Sequence, residues 1–203
     1  MKPEARNERN IAVRAKEIVF ALAAIGASLD DLAGAIGIAG TVPEAFVGLN
    51  EDDLAYRGWW MPERVEPFAR HVPLTLDRDG FLRRCVELNN LLGEGLGQSN
   101  LRAILVTLGV APKKLEGLRG LKLLDYVVRF AQVTISTGFL IPSQTQATLE
   151  ELETSGTDPA RPLEHLFALY DLRIVGSHAI GDAQHEMVER LNRFGIEPGD
   201  FAG

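Results

Sequence analysis

The chain has 203 residues, 46% hydrophobic and 24% charged, enough to bury the core of one generous domain or two small ones. A formal net charge of −7 keeps it soluble and argues against indiscriminate binding to nucleic acid or an anionic membrane. Its single cysteine, Cys85, excludes an internal disulfide, and the helical pattern around it (FLRRCVELNN) reads as a buried thiol.

The N-terminal stretch MKPEARNERNIAVRAKE carries too many charges to open like a signal peptide. Ile11, Ala15, Ile18, Leu22 and Ile25 fall on one face of a helix expected over residues 8–26. Ser28 reads as the N-cap of a short second helix through Ile36, with Asp30 and Asp31 at its positive end. The most apolar run, Ile18 to Ala27, is about half the ~20 residues of a membrane span, so a cytoplasmic protein with no membrane partner is expected.

From Gly37 to Gly80 prolines 43, 62, 67 and 73 and glycines 40, 48, 58 and 80 break the chain into short pieces and turns. This region holds both tryptophans, in YRGWWMPERVEPFARHVP, and reads as a packed connector ahead of a base-stacking platform. Long helices return from Asp79, expected near 79–93, 99–109, 119–138, 144–154, 162–178 and 182–194. Ser99, Ser143 and Asp158 read as caps or turn starters, Pro162 as a first helical residue, and Gly109, Gly156 and Gly195 as stops. The β-branched cluster VTIST, residues 133–137, is a place where the 119–138 helix could end early. The expectation is an all-α helical bundle in two parts, residues 1–78 and 79–203, with a seam near 72–80.

Familiar chemical motifs fail on spacing. The glycines of GEGLG, residues 93–97, follow a helix instead of joining a strand to one, so the segment reads as a helix–helix loop and not as a dinucleotide cradle. Asp182-x-x-His185 occurs once, where a di-iron bundle needs such motifs on two helices. His178, Asp182, His185 and Glu189 would share a face of one continuous helix, but Ile180-Gly181-Asp182 reads as a turn that destroys it. No metal and no cofactor are therefore expected. Residues 102–129 carry six basic side chains against Glu116 and Asp125, a local excess able to guide a polyanion. Lys113, Lys114, Arg119 and Lys122 are its candidate RNA-binding residues. A solvated face is the commoner meaning of such a run.

The stretch LEHLFALYDLRIVGSHA carries the sharpest signal. Leu163, Phe167, Tyr170 and Ile174 make an apolar stripe at helical spacing, with Arg173 and His178 on opposite flanks about 140° apart. An apolar run ending in Leu-Arg, then small residues and a histidine, resembles the final motif helix of HEPN domains, whose mark is Arg, four to six residues, then His. The resemblance covers about residues 79–194 and implies a HEPN-like helical bundle in the C-terminal two-thirds of the chain. Ile174 departs from the pattern, because many active members carry a polar residue directly after the arginine.

What the resemblance implies is metal-independent RNA cleavage, in which the ribose 2′-OH attacks the adjacent phosphate. Arg173 would hold the phosphate and His178 would move the proton, chemistry that suits both side chains. Family members usually bring two such pairs together across a homodimer, here through the seam between Arg173 and His178. Many relatives act in defence or toxin systems, which implies a protein partner or antitoxin. Inactive relatives serve as binding or scaffold modules. Two expectations follow, a homodimeric endoribonuclease and a non-catalytic dimerisation or interaction module.

Overall fold

The computed structural model describes residues 11–69, 77–154, 163–177 and 183–197. These residues form helices and turns, with no strand among them, so the chain is all-α. In order the helices are α1 (Ile11–Ala35), α2 (Glu44–Val47), α3 (Glu51–Arg57), α4 (Glu66–Ala69), α5 (Arg78–Asn89), α6 (Gln98–Thr107), α7 (Pro112–Leu115), α8 (Gly120–Thr137), α9 (Thr145–Thr154), α10 (Glu164–Ser177) and α11 (Ala183–Asn192). A π-helical turn, Asn90–Glu94, extends α5.

The break expected near Ser28 does not occur. Helix α1 runs unbroken for 25 residues, and its buried positions Ala15, Val19, Leu22, Gly26, Leu29 and Ala33 repeat at spacings of four and three. Gly26 sits in this helix because of what it touches. A Cβ there would lie 2.5 Å from Val47 Cγ2 and 2.9 Å from the Pro43 carbonyl oxygen, so only glycine admits the neighbouring backbone. Without the break, the segment Ala12–Ala35 is long and apolar enough to cross a membrane by length and composition alone. The length argument made from Ile18 to Ala27 is corrected accordingly.

The chain groups into two compact units, each discontinuous in sequence. The first gathers the described residues within 1–24, 49–94 and 165–203, and the second those within 25–48 and 95–164. Residues 49–69 thus share a unit with residues 77–94, across the position of the seam read from sequence.

In the second unit α8 packs against α6 and α9, and α2 against α6. Leu101, Ile104, Leu105 and Leu123 are fully buried, which at roughly 1.5–3 kcal/mol per side chain is the main favourable term. Gly97 precedes α6 and donates its N–H to Phe46 O at 2.7 Å, while Asn100 Nδ2 donates to Ala45 O at 2.7 Å. A Cβ on Gly97 would stand 2.0 Å from that Ala45 oxygen. The GEGLG segment is therefore part helix and part close backbone contact, where a loop was expected. Helix α8 does not stop at VTIST. Thr134 Oγ1 donates to Phe130 O and Thr137 Oγ1 to Val133 O, which accommodates the β-branched residues until Gly138 turns left-handed at φ 69°.

In the first unit α5 starts on an Asp77 cap, whose carboxylate accepts from Gly80 N at 2.7 Å. Leu82 and Cys85 of α5 pack with Leu169 and Leu172 of α10 and Met187 and Leu191 of α11. Cys85 is buried as the sequence suggested, and burial pushes its thiol up to about 12. The tryptophan pair departs from the packed-connector reading. Trp59 and Trp60 meet edge to face at 6.0 Å, but Trp60 is 53% and Tyr56 90% exposed. The short elements here are held by arginines that serve main-chain carbonyls. Arg84 donates to Phe68 O at 2.9 Å at the end of α4, and Arg64 donates to Leu91 O inside the π turn.

A candidate functional site around Arg173

Helix α10 is apolar on two sides, which decides how it sits. Ala168, Leu169 and Leu172 are buried, and with the bundle they form the core of the first unit. The stripe read from sequence lies on the other side. Taking about 100° per residue, Tyr170 and Ile174 point roughly 180° away from Leu172, and they are 41% and 42% exposed. Leu163 and Phe167 are half-buried. The C-terminal half of the stripe, Tyr170 and Ile174, therefore forms an outward apolar face.

Arg173 stands at the edge of that face. Its guanidinium lies 5.8 Å from the centre of the Tyr170 ring, and Nη2 meets Glu94 Oε1 at 2.6 Å. Glu94 closes the π turn, whose wider winding lets one extra residue into the helix and turns later side chains about 100° from their α-helical direction. The residue just before the turn is a buried polar group. Asn89 is 3% exposed, and its Nδ2 has no hydrogen-bond partner among the described residues. A second ion pair, Arg190 Nε to Asp171 Oδ2 at 3.8 Å, joins α11 to α10.

Of the two residues expected to carry chemistry, Arg173 is half-buried and ion-paired, while His178 lies outside the described residues. So do Pro162, Asp158, Gly156, Asp182 and the Ile180–Gly181 turn, and the side chain of His185. The four candidate RNA-binding residues belong to the second unit, and all four are exposed. Lys113 and Lys114 lie on α7, Arg119 caps α8, and Lys122 follows in its first turn. Two members of the basic stretch have structural partners. Lys114 Nζ pairs with Glu153 of α9, whose carboxylate holds the ammonium more firmly protonated than usual. Arg102 Nη2 donates to Leu118 O at 2.6 Å, joining α6 to the turn before α8. Among the described residues, no three His, Cys, Asp or Glu side chains gather as a metal ion would require.

Sequence reasoning missed Glu94 as the partner of Arg173. Its position between two glycines pointed to a loop, and a π turn leaves no periodic mark over five residues. Comparison with protein-family models, with curated proteins and with solved structures finds no match.

Proposed function

We propose that the chain is an interaction module, with a HEPN-like motif helix, that self-associates through the outward face of α10. The observation that carries this reading is the exposure of Tyr170 and Ile174 on one helix face, with the Arg173–Glu94 pair beside them. An apolar strip edged by opposite charges has the composition of a small interface, aromatic at its centre and polar at its rim. A two-fold copy would bring each strip against itself. The acidic chain accords with a cytoplasmic protein.

A second reading, metal-independent RNA cleavage, draws support from the accessibility of the same arginine. The Arg173 side chain is 31% and that of Glu94 54% exposed, and pairs this open contribute only about 0–1 kcal/mol. A phosphate, accepting bidentate hydrogen bonds from the guanidinium, competes readily with such a carboxylate. In that reading Arg173 exchanges Glu94 for phosphate and His178 transfers the proton.

One set of measurements separates the two. Light scattering at high concentration should give a dimer for the wild type and a monomer for Ile174→Glu, which sets like charges face to face. A wild type that stays monomeric overturns self-association. RNA incubated with purified protein in excess EDTA should gain 2′,3′-cyclic phosphate ends only if the second reading holds. Both Arg173→Ala and His178→Ala should then lower the rate on the order of 10²-fold or more. No cleavage by the wild type removes catalysis and leaves the interaction module.

A further inference from the structure

The second unit contains a cavity of about 250 Å³ between the α6–α7 turn and helices α7, α8 and α9. Its apolar lining is Val110 and Leu149, both largely buried, and Tyr126 of α8 adds a half-buried ring. The charged lining comes from Lys114, Glu150 and Glu153. Two acids against one base leave the cavity with a formal charge of −1.

The internal pairing sharpens this asymmetry. Among the described lining residues the one cation, Lys114, is engaged with Glu153 in an open pair, which leaves Glu150 as the excess carboxylate. Among the described residues the Glu150 carboxylate accepts from Gln146 Nε2 at 3.1 Å, which orients it without balancing its charge. Spacings of four and three along α9 put Gln146, Glu150 and Glu153 on one side of that helix. Gly109 closes the wall. Its φ of +86° suits glycine, and a Cβ there would touch Leu149 Cδ1 at 3.4 Å.

We infer that this cavity binds a small organic cation, an alkylammonium or alkylguanidinium, with its charged head at Glu150 and its chain along Val110, Leu149 and the Tyr126 ring. A carboxylate and an aromatic face together favour a cation with an apolar body. An anion of the same size would meet a lining with an excess of carboxylate. The volume lies below the roughly 300–1,000 Å³ of pockets for drug-sized ligands, which suits a short chain and not a ring-rich cofactor. Such a head group occurs both on free amines and on lysine or arginine side chains of another protein.

The test titrates the full-length chain with n-butylamine, with agmatine and with the capped tripeptide Gly-Arg-Gly, followed by amide NMR shifts. At least one cation should bind at millimolar concentration or below, with its largest shifts in residues 109–114 and 146–153. n-Butanol and butyrate should leave these amides unmoved. Glu150→Gln, at an exposed position where the fold is not at risk, should weaken binding at least fivefold, and Tyr126→Leu should weaken it too. Tighter binding of the tripeptide would assign the site to a partner's side chain, and equal or tighter binding of a free cation would assign it to a small molecule. No shift with any cation at 10 mM, equal shifts with butanol or butyrate, or unchanged affinity in Glu150→Gln overturns the assignment.

Discussion

The two units solve one problem, joining short irregular pieces to long helices, with a different emphasis. In the second unit main chain meets main chain at α2, alongside side-chain bonds from Asn100 to Ala45 O and Arg102 to Leu118 O. Gly26 and Gly97 both admit the segment Pro43–Val47, and the Gly97 N–H bonds directly to Phe46 O. In the first unit long side chains reach across instead, with Arg64 on Leu91 O and Arg84 on Pro67 O and Phe68 O. Direct backbone contact leaves no slack, because neither partner can turn away. An arginine has several rotatable bonds and five donors, so its contacts can be exchanged. The Arg173–Glu94 pair belongs to the second kind, and it lies in the unit to which the functional proposal points.

The largest effect should come from the rigid contact. Gly97→Ala sets a Cβ 2.0 Å from Ala45 O and 3.0 Å from its carbonyl carbon, both backbone atoms. We expect urea denaturation to show a loss of more than about 3 kcal/mol, at the upper end of overpacking costs. The matched control is Gly34→Ala, where nothing stands within 4 Å and the residue lies in α1. It should gain roughly 0.4–1 kcal/mol. If the two substitutions behave alike, the close approach is not what selects glycine at position 97.

Arg64→Met tests the side-chain solution. It keeps much of the apolar stem but leaves the Leu91 carbonyl without its arginine donor, for an expected cost of about 1–3 kcal/mol by the same denaturation measurement. A loss as large as that of Gly97→Ala would erase the contrast between the units.

Much of the helical content was legible in the sequence, and the reason is local. Gly109 and Gly195, read as stops, have positive φ and mark ends by chemistry that needs no neighbour. What was illegible depends on neighbours. Gly26 looks like a breaker until Val47 and Pro43 are beside it. Helix α10 shows the same limit at the candidate site. It has apolar residues on both sides, Leu169 and Leu172 on one and Tyr170 and Ile174 on the other. Periodicity singled out the second of these and cannot say which side turns inward. Arg173 was visible as a cation on a flank, but Glu94 could not be assigned to it, because a π turn changes the direction of a side chain without changing the pattern of residues.

The smallest effect at neutral pH concerns Cys85, in the core that α5 shares with α10 and α11. Burial raises its thiol from 9.0 to about 12, so the folded chain keeps a proton that the unfolded chain gives up. The associated stability is fully present below about pH 9 and is lost as pH rises toward 12, at about 1.4 kcal/mol per pH unit for one proton. Cys85→Ala should flatten that alkaline slope. A thiol reagent at pH 8 should modify the native chain only as fast as it unfolds, and rapid labelling would show that the core opens without global unfolding.

The discontinuity of the units has a consequence for the order in which the chain is made. Every residue of the second unit precedes residue 165, whereas the core around Leu82 and Cys85 needs Leu169, Leu172, Met187 and Leu191. On the ribosome, α5 therefore emerges with its apolar face uncovered and must wait for about a hundred more residues. Synthesis at roughly 5–20 residues per second makes that wait several seconds, long compared with the folding of a small helical domain. Within that interval the second unit has its whole sequence first, although the first unit begins earlier in the chain.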